Sequence, residues 1–261
     1  MIMPNWIKNK IIFSKKSSID EFIDKYCSLI DNSYQFDFNK VIKMPNELEV
    51  EFSSKSMDAL LLYMTKICPN INYYGKKKDK IIISEWEFIN KKLEDKVLLT
   101  KTFILSEEEV KNILFKYSKQ EEQILKLGLA QVENIKKYGE LNWYTWSINN
   151  WGTKWNSTNF EIKEGGKSIT FDTAWDPAIP IIIEMSKQNP EIKFAFLYSD
   201  EDIGCKVGYI LLSKGIIDYK GTFKNLSRDA YKLAFDLWEC EKDYQWNDEL
   251  NTYTIQIKNN V

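Results

Sequence analysis

Eleven residues, Trp146 to Asn156, contain three tryptophans, three asparagines and a glycine. Trp143 precedes them, and Trp175-Asp176-Pro177 follows further along the chain. Indole offers a large flat face and one N–H donor, and an asparagine amide offers donor and acceptor together. One chemistry for such a cluster is a pocket for a flat, polar ligand. Trp146, Trp151, Trp155 and Trp175 would then stack or form walls, and Asn149, Asn150 and Asn156 would read polar edges. Thr153 and Asp176 would complete the lining, and Lys154 would meet an anion. Stacking of this kind contributes ~1–3 kcal/mol per base. The other reading is a core in which each indole N–H finds a carbonyl and Asn149 or Asn150 caps a helix end. Residue types alone leave both open.

Composition removes most alternatives. The chain has 261 residues and no histidine, so Ser-His-Asp and Cys-His catalysis and imidazole-bound zinc are absent. Carboxylate, lysine, tyrosine and cysteine chemistry remain. Cys27, Cys68, Cys205 and Cys240 form no C-x-x-C pair, so no structural zinc or dithiol site is expected. Cys27, Cys68 and Cys240 fall in or at the end of helical patterns and read as small core residues. Asp200-Glu201-Asp202 lacks calcium-loop spacing and reads as an acidic hairpin tip. No phosphate-binding or dinucleotide-binding glycine loop occurs, so no cofactor and no metal is expected. With 36 basic and 38 acidic residues and a single arginine, Arg228, the chain has no basic footprint for nucleic acid. No signal peptide is evident, and no apolar run approaches the ~20 residues that span a bilayer. The expected location is cytoplasmic.

The elements that must position the cluster follow from periodicity. Ile7, Asn9, Ile11 and Phe13 alternate with lysines as a strand. Ser18 and Glu21 open a helix whose face runs Ile19, Phe22, Ile23, Tyr26, Ile30. Phe36 to Pro45 reads as an extended connection. Met57, Leu60, Leu61 and Met64 mark a helix stopped by Pro69, and Lys76-Lys77-Lys78 lies in a solvated loop. Ser106 and Glu109 form a second capping box before a long helical stretch reaching Tyr138-Gly139. Leu141–Asn150 predicts a helix ended by a left-handed Gly152. Gly165-Gly166 predicts a hairpin turn in which Phe160 faces Phe171, Ile162 faces Ile169 and Glu164 faces Lys167. Extended backward, that register places Asn156 opposite Trp175. Asp176 reads as an N-cap with Pro177 in the first helical turn. Strands at Ile192–Tyr198, Cys205–Leu211 and Ile216–Phe223, a helix at Leu226–Cys240 and an edge strand at Tyr253–Ile257 complete the chain.

The order is α+β: a ferredoxin-like sandwich with a mainly antiparallel sheet, helices on one face, a helical insertion and a C-terminal helix. The chain reads as one elaborated domain, with the sandwich in 1–48 and 140–223, the insert in 50–139, and the helix and tail in 224–261. Met3-Pro4-Asn5-Trp6-x-x-Asn9, Phe36-Asp37-Phe38-Asn39-Lys40 with Met44-Pro45, Asn150 to Asn156, and Thr173-Ala174-Trp175-Asp176-Pro177 with Pro180 occur in that order. This ordered set resembles the YubB-like family of phage and plasmid proteins. The resemblance implies the ferredoxin-like fold and a mobile-element origin, and it brings no catalytic residue.

The leading expectation is a non-enzymatic protein that sequesters a small nucleotide-like ligand, such as a host immune signal. A second is an inhibitor that binds a host defence protein through the helical insert. A third is an enzyme that uses Asp176, Glu184 or a lysine as acid or base. Nucleic-acid binding ranks below these.

Overall fold

The computed structural model describes residues 4–14, 18–67, 105–163 and 165–256. The readings made for Cys68, Pro69, Lys76-Lys77-Lys78 and Glu164 lie outside these residues. Chain contacts divide it into two compact units, residues 1–43 with 147–261, and residues 44–146.

The first unit is built on a six-stranded sheet. Its strands are β1 (Trp6–Phe13), β4 (Thr158–Lys163), β5 (Ser168–Ala174), β6 (Phe194–Asp200), β7 (Gly208–Ser213) and β8 (Ile216–Thr222). Their order is β4-β5-β1-β6-β7-β8, and all five pairings are antiparallel. The alternation read in β1 sends Ile7, Asn9, Ile11 and Phe13 to one buried face. Across the sheet, Phe171 pairs with Asn9, and Phe196 and Ile169 both pair with Ile11. Helix α1 (Ser18–Tyr26) and helix α6 (Ile179–Gln188) cover this face. Phe22 of α1 meets Phe13 at 5.5 Å, and the Tyr26 hydroxyl donates to Gln188 Oε1 at 3.0 Å.

Several local expectations change. Helix α1 stops at Tyr26, and the chain turns into a hairpin of β2 (Cys27–Ile30) and β3 (Ser33–Phe36). Ile30 is therefore exposed rather than on the helix face. Asp31 and Asn32 make the turn with positive φ, which these residues tolerate better than most. The connection after Phe36 contains 3₁₀ turns at Phe38–Lys40 and Asn46–Leu48. Helix α6 begins at Ile179, with Ala178 at its N-cap and Pro180 in its first turn, so Asp176 caps nothing. The C-terminal helix α7 (Arg228–Trp238) packs on β1 and β6 from the opposite face, so helices flank both sides of the sheet. The tail does not extend the sheet. β9 (Tyr244–Asn247) and β10 (Thr252–Ile255) pair with each other, and Tyr253 packs on Tyr231 and Phe235 of α7.

The second unit is helical. Helix α2 (Ser54–Ile67) packs against α4 (Glu121–Tyr138), and α3 (Glu107–Lys116) lies against α2. The capping box is present: Glu109 N donates to Ser106 Oγ, and Ser106 N donates to Glu109 Oε2. The long helical stretch is broken between Lys116 and Glu121, and α4 ends at a left-handed Gly139. Helix α5 (Trp143–Trp151) follows; from Ser147 on it belongs to the first unit, and it ends before Gly152 at φ +81°. Gly128 lets α2 and α4 touch: a Cβ there would lie 2.3 Å from Ala59 O and 2.5 Å from Tyr63 Cβ. Gly128→Ala should therefore lower unfolding stability by about 1–3 kcal/mol, read by urea denaturation of the helical unit. A neutral or stabilising result would contradict this packing.

Candidate functional site

The Gly165-Gly166 hairpin pairs Ile162 with Ile169, as expected, but its register does not run on unchanged. Thr158 pairs with Asp172 and Glu161 with Thr170, so Asn159 and Phe160 together oppose Phe171. Asn159 takes φ +50° in this bulge and donates to Asp172 Oδ2 at 2.8 Å. A one-residue shift exchanges the faces of everything beyond it. Continued at the new offset, Trp155 and not Asn156 comes opposite Trp175, and the Trp155 and Trp175 ring centroids are 5.4 Å apart.

The expected ligand residues fall into two groups. The buried group is tied to the fold. Trp146 and Trp151 are 6% and 5% exposed. The Trp151 indole donates to Ile42 O at 2.9 Å, and its ring meets Phe38 edge-on at 5.8 Å. Thr153 Oγ1 donates to Ala174 O at 2.8 Å. Asn156 is half-buried; its Oδ1 accepts from Phe38 N at 2.8 Å and its Nδ2 donates to Asp37 Oδ1 at 2.9 Å. Asn149 is exposed and Asn150 half-buried on α5.

The second group lies at the surface. Trp155 and Trp175 are half-buried, and Trp6 lies 6.3 Å from Trp155. Lys154 Nζ is 4.7 Å from the Trp155 ring centroid and 5.0 Å from that of Trp175. Both distances are within cation–π range. Trp175 has φ +65°, an outlier for so bulky a residue. Its N–H donates to Asn5 O at 2.8 Å, and its carbonyl accepts from Lys206 Nζ at 2.8 Å. Lys206 also reaches the exposed Asp176 at 3.2 Å and itself takes φ +45°. Strained backbone that the surroundings hold in place collects at functional sites. Asn5, Trp6 and Lys206 were not among the expected ligand residues. The Asn5-Trp6-x-x-Asn9 pattern pointed toward two of them, while Lys206 follows an acidic turn with no sequence signal of its own.

Gly152 joins these parts. A Cβ there would lie 2.6 Å from Pro180 Cδ and 3.2 Å from Pro177 O. The end of α5 can thus lie directly on the turn that carries Trp175. Thiol chemistry is held down nearby: burial pushes the Cys27 thiol up to about 12, and burial also raises Cys205, with Asp202 and Asp200 adding to it. Cys27 is buried, and Cys205 and Cys240 are half-buried. Among the described residues, no group of three or more acidic or cysteine side chains could hold a metal ion, and no helix is long and apolar enough to cross a membrane.

Two expected outcomes test this division. Trp151→Phe leaves the Ile42 carbonyl without its indole donor and should cost about 1–3 kcal/mol. Gly152→Ala should cost at least as much, whereas Trp155→Ala should cost clearly less than either, all by chemical denaturation. Alkylation of the native protein at mildly alkaline pH should leave Cys27 unmodified until the protein unfolds, as read by peptide mass spectrometry.

Residues 150–256 match the family described as the ferredoxin-like domain in Api92-like protein. Among solved structures, the crystal structure of protein api92 from Yersinia pseudotuberculosis is similar over 85% of this chain and 98% of that one, at 11% identity and a TM-score of 0.37. No curated protein matches the chain in sequence.

Proposed function

We propose that this protein binds and sequesters a small nucleotide-like ligand at the wall formed by Trp155 and Trp175, without turning it over. The observation that carries this reading is the Lys154 ammonium lying over two half-buried indoles whose centroids are 5.4 Å apart. A flat heterocycle finds a stacking surface there, and the attached phosphate finds a cation beside it. Lys206 adds a second ammonium on the Trp175 carbonyl. The strained Trp175 backbone supports the reading further, because such strain collects at functional sites. The resemblance of the ordered motifs to the YubB-like phage and plasmid family suggests a setting for this reading: a mobile-element protein acting in the host cytoplasm against a nucleotide immune signal.

The test is mass spectrometry of small molecules released by heating protein co-expressed with nucleotide-signalling defence systems, followed by calorimetry with the molecule found. A stoichiometric, intact nucleotide is the expected result. Trp155→Ala and Lys154→Ala should each weaken its binding by about five- to a hundred-and-fiftyfold, from ~1–3 kcal/mol of stacking or charge pairing, with melting temperature little changed. A cleaved fragment would make the protein an enzyme instead. Binding that survives both substitutions would remove this wall as the site.

A further inference from the structure

A second surface lies on the sheet face that carries Ile12 of β1, opposite the layer that buries Ile11 and Phe13. A groove of about 540 Å³ opens there between the sheet and α7, with Ile12, Leu197, Tyr209, Phe223 and Leu233 among its walls. Helix α7 packs on β1 and β6, and the same face of β7 and β8 is open. Leu211 is 41% exposed and its partner Tyr219 53% exposed. Tyr209 stacks on Tyr219 at 5.5 Å and lies flat over Gly221, where a Cβ would come within 2.4 Å of the ring. That glycine keeps the apolar shelf low.

We propose that this shelf receives an amphipathic helix of a partner protein, lying alongside α7. Three observations select that occupant. The open strip is two strands wide, roughly 10 Å, which is the diameter of one helix at about 10 Å. The wall of α7 that faces it carries Asp229, Lys232 and Asp236. At spacings of three and four residues they form one stripe of alternating charge. Among the described residues Asp229 and Lys232 make no ion pair, while Asp236 shares Lys10 at 3.4 Å. The complement is a helix with an apolar stripe flanked by basic, acidic and basic side chains in the same spacing. Addition of an extended strand to β8 is the poorer fit. Its pairing with β7 shifts register around Asp218, and Lys220 lies on the edge, two devices that blunt strand edges.

The probes are two synthetic helical peptides with the same leucine stripe, one flanked Lys–Glu–Lys and the other Glu–Lys–Glu, titrated into the full chain by fluorescence anisotropy. The Lys–Glu–Lys peptide should bind at least tenfold more tightly. Asp229→Lys/Lys232→Glu, two exposed positions, should erase that preference without changing the melting temperature, and Leu211→Lys should abolish binding of both peptides. Failure of the Lys–Glu–Lys peptide to bind, or equal binding of the two, overturns the proposal. So does a concentration-dependent dimer lost in Leu211→Lys, which would assign the shelf to a second copy of the chain.

Discussion

Strand β1 is the constraint on which the first unit depends. Both of its edges are hydrogen-bonded, one to β5 and one to β6, partners more than 150 residues away in sequence. Without it the sheet separates into a β4–β5 hairpin and a β6–β7–β8 meander, neither with a closed core. Its inward residues Ile7, Ile11 and Phe13 supply the middle of the apolar layer. Its first residues also hold the candidate site: Asn5 O accepts from Trp175 N, and Trp6 O accepts from Glu201 N. One strand therefore closes the long loops whose entropy opposes folding and fixes the two turns that carry the half-buried Trp175 and Lys206.

The tryptophan-rich segment serves two physical purposes at once. Trp151 faces inward, where its indole N–H has a carbonyl and its ring a phenylalanine partner. Four residues later Trp155 is half-buried against Trp175, because Gly152 adopts a left-handed conformation and the Asn159 bulge shifts the register of the residues before it. Asn156 then ties the segment to Asp37 and Phe38, which carries the ordered motifs of the N-terminal region to those of the second half. The spacing of these motifs along the chain reflects this junction.

Charge is used locally. The chain is nearly neutral, yet lysines occupy particular places. Lys8 bridges Asp172 at 2.6 Å on the sheet and lies over Trp238, Lys154 lies over two indoles, and Lys206 clasps the Trp175 carbonyl and Asp176. Lysine with indole is a compact way to build a cationic aromatic surface in a chain with a single arginine.

Period and turn chemistry made much of the fold legible in advance. Alternation marked β1 and β6, the capping box at Ser106 marked the start of α3, and Gly165-Gly166 marked the β4–β5 hairpin, because each depends only on neighbouring residues. The β2–β3 hairpin was hidden behind a helical pattern in Ile19 to Ile30, since hydrophobic spacing does not show where a helix stops. The side of the sheet that α7 covers was equally hidden, because an amphipathic stripe names no partner. The sequence by itself determined the α+β class, the antiparallel sheet and the concentration of tryptophan and asparagine at one junction. Only the tertiary structure decided which of those side chains face inward, for a bulge of one residue at Asn159 reverses faces without leaving a trace in the hydrophobic period.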